Sequence, residues 1–226
     1  MKSFEWILHR AQEIKGKEDL SEYMPVVKTE DELLAIPESE YLSLLGLRIF
    51  RAGLKHSVVD AKWPNFRKVF HDFDPRYVAH LSDEQLESHM VQPGLIKHWG
   101  KMKGLRHNAN WIVGMNMDMD GEGFPRYIAQ WPVSDIVGLW LDMKKRGSQL
   151  GGRSAQAFLR MVGKDTFMLT QDVMVQLRAQ GVCDKVEAPT AKRDLVLIQE
   201  AFNQWHQESQ YPMSHISRLL SFTKSS

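Results

Sequence analysis

An all-α fold is predicted by three observations. Apolar residues recur at spacings of three and four along most of the chain. Helix-capping residues precede these runs. Almost no stretch alternates apolar and polar residues as a half-buried strand would, and Gly, Pro and Asp gather between the runs, where turns are needed.

The elements follow in order. Met1-Lys2-Ser3 leads into an amphipathic helix carrying Phe4, Ile7, Leu8 and Ala11. Ser39 opens a helix through Tyr41, Leu44, Leu45, Leu47 and Phe50 to Gly53. Trp63-Pro64 is expected to begin another, through Phe66, Val69 and Phe70, because proline suits a first turn. Asp74-Pro75 repeats that signature, and Ser82 with Gln85 forms a capping box before Leu86 and Met90. A long helix is expected from about Ile96 to Met117, stopped by the turn cluster Asp120-Gly121-Glu122-Gly123. A short helical piece from Phe124 to Trp131 ends at Pro132. Ser134 is the expected cap of the next helix, with Ile136, Leu139, Trp140 and Met143 on its apolar face and Gly147 as a left-handed stop. The following helix should bury Ala157, Phe158 and Met161. A helix then runs from Asp172 to Gly181, and Thr190 caps a final one, from Ala191 to about Gln207.

Bulk properties set bounds. The chain has 226 residues and is 43% hydrophobic, enough for one large domain or two closely packed lobes. No apolar run approaches membrane-spanning length and no signal-peptide pattern opens the chain, so a cytoplasmic protein without membrane contact is expected, nucleoid-associated if prokaryotic. A single cysteine, Cys183, excludes an intrachain disulfide and suits a reducing compartment. The formal net charge is only +1, so any basic patch is local.

Such a patch exists. Lys144, Lys145 and Arg146 fill the last turn of one helix, where cations complement the helix dipole. Gly147, Gly151 and Gly152 then shape a hairpin whose backbone can approach a ligand closely, and Arg153 and Ser154 open the next helix. From Asp142 to Lys164 the basic residues Lys144, Lys145, Arg146, Arg153, Arg160 and Lys164 face one acid, Asp142. A phosphate backbone would be attracted here, and the attraction would weaken with salt. Asp172 follows, just after Thr170, at the start of the next helix.

Other clusters have plainer readings. The nine His residues show no strong ligand spacing with Cys or carboxylates. Met115 to Glu122 lacks the closing Glu of a calcium loop and reads as a helix end with a turn. Lys97, His98, Lys101, Lys103, Arg106 and His107 read as a solvated helix face, with a second phosphate-facing patch as the alternative. The seven Trp residues are core by default, although Trp6 and Trp63 are candidates to line a pocket for an extruded base.

Several short segments share an order with a known family: Arg51-Ala52-Gly53-Leu54, Asn65 to Phe70, Phe73-Asp74-Pro75, Ile96 to Lys101, Asn108-Ala109, and Lys144 through Gly152. With these the chain resembles the helix-hairpin-helix DNA glycosylases and, within them, the type I 3-methyladenine glycosylases, across about residues 40–175. The first 35 residues and the tail beyond about 185 match poorly. The resemblance implies a two-lobed helical bundle, with residues 1–50 and 167–226 forming one lobe and 51–166 the lobe that carries the hairpin. It implies a monomeric repair enzyme that excises a damaged base, such as 3-methyladenine, from DNA without any metal or organic cofactor. It places Arg48 where the type I enzymes carry a base-reading Glu, and His56 where they carry a pocket aromatic. Their structural zinc uses two Cys and two His, which a chain with one Cys cannot rebuild. Asp172 falls at the catalytic Asp position of the wider superfamily, and Ser154 at the Lys position of its strand-cutting members. A monofunctional hydrolase is therefore implied. A different damaged base, or DNA binding without catalysis, is the alternative.

Overall fold

A computed structural model describes residues 1–118 and 123–224. The expected turn cluster Asp120-Gly121-Glu122-Gly123, and with it the end of the segment Met115 to Glu122, overlaps 119–122 and to that extent lies outside the described residues. Among the described residues the fold is helical: α1 (Phe4–Lys15), α2 (Glu30–Leu34), α3 (Glu38–Arg51), α4 (His56–Val69), α5 (Pro75–Ala79), α6 (Asp83–Met90), α7 (Trp99–Asp118), α8 (Gly123–Gln130), α9 (Ile136–Arg146), α10 (Arg153–Val162), α11 (Gln171–Ala179), α12 (Lys192–Ser209) and α13 (Met213–Phe222).

Two compact units form. The terminal unit comprises Met1–Lys28, Pro132–Leu139 and Gly163–Ser226; the hairpin unit comprises Thr29–Trp131 and Trp140–Val162. Residues 29–50 thus belong with the hairpin, unlike the lobes the resemblance implied, because α3 packs on α4, α7 and α10.

In the terminal unit, α13 packs against α1, α11 and α12. Phe167 stacks on Phe202 with centroids 4.1 Å apart, and Phe202 meets Trp205 edge-on. Trp205 donates its indole N–H to the Lys2 carbonyl at 2.9 Å, and the Glu208 carboxylate accepts from the Phe4 amide at 2.8 Å. Asp165 accepts from the Met213 and Ser214 amides at 3.0 and 2.8 Å, so a buried carboxylate caps α13.

In the hairpin unit, α3 and α7 run through the core. Trp63, Phe66, Phe70 and Phe73 form a ladder of near-parallel rings, which Phe50 meets at a steep angle. Asp74 caps α5 by accepting from Arg76 and Tyr77, and the Ser82–Gln85 capping box is formed in both directions.

Several boundaries differ from expectation. Helix α4 begins at His56, so Pro64 lies inside it; the missing N–H removes one rung, and apolar packing of Val59, Trp63 and Phe66 carries the helix across it. A 3-10 turn over Val133–Asp135 precedes α9, and Ser134 sits within it instead of capping. On α10 the buried apolar face is Ala155, Phe158, Leu159 and Val162; Ala157 and Met161 are half-buried. Ala191, not Thr190, precedes α12 without a side-chain cap. Helix α13 follows the helix expected to be final, with Met213, Ile216, Leu219 and Leu220 recurring at helical spacing after Pro212.

Candidate nucleic-acid interface and active site

The hairpin is a constructed feature of its unit. Lys144, Lys145 and Arg146 occupy the exposed last turn of α9. Arg146 pairs with Asp142 one turn back, with Nε 2.9 Å from a carboxylate oxygen. Gly147 does not take a left-handed conformation; its φ is absent from the positive region, which Gln149 enters instead at 60°. Gly147 is needed for space: a Cβ there would stand 2.5 Å from Leu150 and 3.0 Å from the Met143 carbonyl. A left-handed non-glycine residue costs roughly 1–2 kcal/mol. The Gln149 side chain offsets this by donating to the Gly100 carbonyl at 2.7 Å.

Helix α7 holds the hairpin. Asn108, fully buried, accepts from the Ser148 amide at 2.8 Å and donates to the Ser148 carbonyl at 3.2 Å. One side chain therefore satisfies both backbone groups of the turn. His107 binds the Arg146 carbonyl at 2.8 Å. Beyond this anchor, Gly151 and Gly152 are exposed, and Gly152 takes φ 56°. A Cβ at Gly152 would meet nothing within 4 Å, so the backbone is open to an incoming ligand.

The wider basic patch is smaller than its sequence. Lys164 is buried and Arg160 is half-buried. On α7, the Lys101 ammonium is buried and donates to the Phe50 and Ala52 carbonyls at 3.1 and 2.6 Å, satisfying the end of α3. Arg106 binds the Leu81 carbonyl and pairs with Asp83. Those two cations serve the fold, which removes them from any second phosphate patch.

The pocket candidates separate. Trp63 is a core residue: its ring stacks on Phe66 and Phe73, and its N–H donates to Ser43 at 3.1 Å. That corrects its reading as a pocket wall. Trp6 lies on α1 of the terminal unit, half-exposed, with the Lys2 ammonium over its ring. His56 is exposed at the first position of α4. Arg48 is half-buried on α3, and its Nη2 donates to the Ser154 hydroxyl at 3.4 Å. Burial, then the charges of Arg153 and Arg51, hold its pKa below the ordinary guanidinium value.

Asp172 belongs to the terminal unit. It is the second residue of α11, whose first turn is capped by the Thr170 hydroxyl accepting from the Val173 amide at 3.3 Å. Its carboxylate is about half-exposed and receives the Lys224 ammonium at 2.8 Å.

A family model described as methyladenine glycosylase matches residues 33–164, more than half of the chain and all of the hairpin. The chain belongs to the methyladenine glycosylase family. DNA-3-methyladenine glycosylase 1 of Escherichia coli (strain K12) is 31% identical over 96 residues, 41% of this chain and 50% of that protein. The DNA-3-methyladenine glycosylase of Haemophilus influenzae is 32% identical over 78 residues, 34% of this chain and 41% of that one. The chain thus spans half or less of the length of these curated relatives. Among solved structures, a variant of 3-methyladenine DNA glycosylase I from Staphylococcus aureus superposes with a TM-score of 0.51 at 20% identity, covering 66% of this chain and 89% of the other. A Methanocaldococcus jannaschii 8-oxoguanine glycosylase/lyase, solved with DNA containing 8-oxoguanine, superposes with a TM-score of 0.53 at 16% identity over 96% of both chains. These structural likenesses concern the fold.

The type I zinc does not fit this chain. Cys183 is its one cysteine, and no three His, Cys, Asp or Glu side chains converge among the described residues.

Proposed function

We propose that this protein is a monofunctional DNA glycosylase that hydrolyses the N-glycosidic bond of an alkylated purine such as 3-methyladenine. The observation that carries the reading is the hairpin: an exposed Gly151-Gly152 backbone beside Lys144, Lys145 and Arg153, anchored by Asn108, in a chain of the methyladenine glycosylase family.

The hairpin grips one phosphate through backbone N–H groups, and Lys145 and Arg153 add charge. The damaged nucleotide leaves the stack, at a cost of a few kcal/mol that is least where pairing is already impaired. An alkylated purine carries positive charge and departs with the bonding electrons as a neutral base. Positive charge then grows on the sugar. Asp172 stabilises it and orients the water whose oxygen bonds to C1′, the proton passing to the carboxylate or to solvent. For this role the Lys224 ammonium must give up Asp172, and a strand phosphate offers it an alternative partner. Ser154 supplies no amine, so no Schiff base forms there and the strand is left intact at an abasic site. The protein acts as a cytoplasmic monomer on damaged DNA, with neither metal nor cofactor in the reaction. No helix is long and apolar enough to cross a membrane among the described residues.

Arg48 favours a second reading, in which the excised base is neutral or bears oxygen, because a guanidinium repels a cationic purine. A panel of duplexes, each holding one modified base, tests both. Release of alkylated purines alone supports the first reading, and release of oxidised or deaminated bases alone supports the second. Binding with no release from any duplex leaves DNA binding without catalysis.

A further inference from the structure

Arg48 and Arg153 are two like charges of the hairpin unit that act on one another, with no carboxylate paired to either among the described residues. Neighbouring cations are matched: Lys101 binds two carbonyls, Arg51 pairs with Asp60 at 2.8 Å, and Arg106 pairs with Asp83. Arg48 has no carboxylate partner among the described residues. Its Nε is fully buried without a hydrogen-bond acceptor, and its one side-chain bond, to the Ser154 hydroxyl, is long at 3.4 Å. Arg153 stands next to that serine at the first position of α10 and is exposed.

A buried N–H without an acceptor is costly, and like charges brought together in a partly desolvated place add to the cost. The depressed pKa of Arg48, caused first by burial and then by Arg153 and Arg51, expresses the same imbalance. Burial and Arg48 also lower the pKa of Lys101. One oxyanion would answer all of these deficits, since it can accept from the Arg48 guanidinium, from Arg153 and from the Ser154 hydroxyl together. Guanidinium groups present parallel donors that match phosphate oxygens.

We infer that Arg48, Arg153 and Ser154 form a seat for a phosphate oxyanion, supplied by the DNA strand next to the phosphate held at Gly151 and Gly152. This deepens the DNA reading above, but the seat itself does not depend on excision. An anion here would also neutralise the guanidinium that otherwise repels a cationic purine.

Isothermal titration with inorganic phosphate, against chloride at equal ionic strength, tests the seat. Wild-type protein should bind phosphate in preference to chloride. Arg48→Met, which keeps the aliphatic stem, and Arg153→Gln, on the surface, should each lose roughly tenfold or more of that affinity. Arg48→Met should fold at least as stably as the parent without phosphate, because an unmatched charge is gone. If Arg48→Met does not fold, Arg153→Gln carries the test. The salt slope of binding to an abasic-analogue duplex then identifies the source. A slope lowered by roughly one in Arg48→Met marks a strand phosphate. An unchanged slope with lost phosphate binding keeps the seat and assigns it to a free phosphate. Wild-type protein that does not distinguish phosphate from chloride, or variants that bind phosphate as the parent does, would overturn the inference. None of these readings uses base release, so they stand apart from the fate of the glycosylase assignment.

Discussion

The hairpin at 147–154 and the start of α11 at Thr170–Asp172 are held in opposite ways. The hairpin is fixed from beneath by a fully buried side chain, Asn108, that meets both backbone groups of Ser148, and by Gln149 reaching the Gly100 carbonyl. Its open face consists of backbone and exposed cations. At α11 the backbone is capped by one hydroxyl, and the Asp172 carboxylate is half-exposed and held by one ammonium, that of Lys224. A grip must be rigid to present N–H groups at fixed positions, whereas in the proposed reaction the carboxylate exchanges Lys224 for a developing sugar cation and must be released easily. Exposed ion pairs contribute about 0–1 kcal/mol, which suits an interaction that has to break.

Substitutions can break or sharpen this contrast. The largest effect is expected at the carboxylate. Asp172→Asn keeps the shape and removes the charge, and single-turnover excision should slow by roughly a hundredfold or more while affinity for the damaged duplex holds or rises. Near-parent excision would make Asp172 an ordinary helix-start carboxylate. Next comes the anchor. Asn108→Leu leaves the Ser148 N–H and C=O unpaired, at about 1–3 kcal/mol for each buried group. Thermal unfolding should shift down, and DNA affinity should fall with it; a variant that loses neither would show the hairpin to be self-supporting. A milder effect is expected from the cations on the open face. The double variant Lys145→Ala/Arg153→Ala should weaken binding to all sequences alike and lower the salt slope by roughly one for each lost phosphate contact. An unchanged slope would place the DNA elsewhere. The smallest effect belongs to Lys224→Ala. Stability should change by less than about 1 kcal/mol, since the pair is exposed, and excision should change a few-fold at most. A collapse of activity would mean that Lys224 acts in the reaction.

The sequence made the local rules visible and the long-range ones invisible. Asp74-Pro75 and Ser82 with Gln85 form the caps their spacing predicts, because capping is decided within four residues. Pro64 was misleading for the same reason: its local preference for a first turn lost to tertiary packing of Val59, Trp63 and Phe66. In the hairpin, the glycines and cations were legible, but Gly147 serves packing against Leu150 and not handedness. Nothing local marks Asn108 as the anchor, since its partner lies forty residues away. Lys101 read as surface because lysine usually is; only the fold brings it under the end of α3. Arg48 could be singled out by resemblance, while its unmatched Nε and its contact with Ser154 required coordinates.

The most direct test of the central claim is chemical. The purified 226-residue protein is incubated with a duplex carrying 3-methyladenine, and the released material and the strand are followed separately. Free 3-methyladenine should accumulate, the strand should remain whole until it is heated in alkali, and borohydride should trap no covalent complex. Tight binding of that duplex with no base released, or a trapped protein–DNA adduct, would contradict the account.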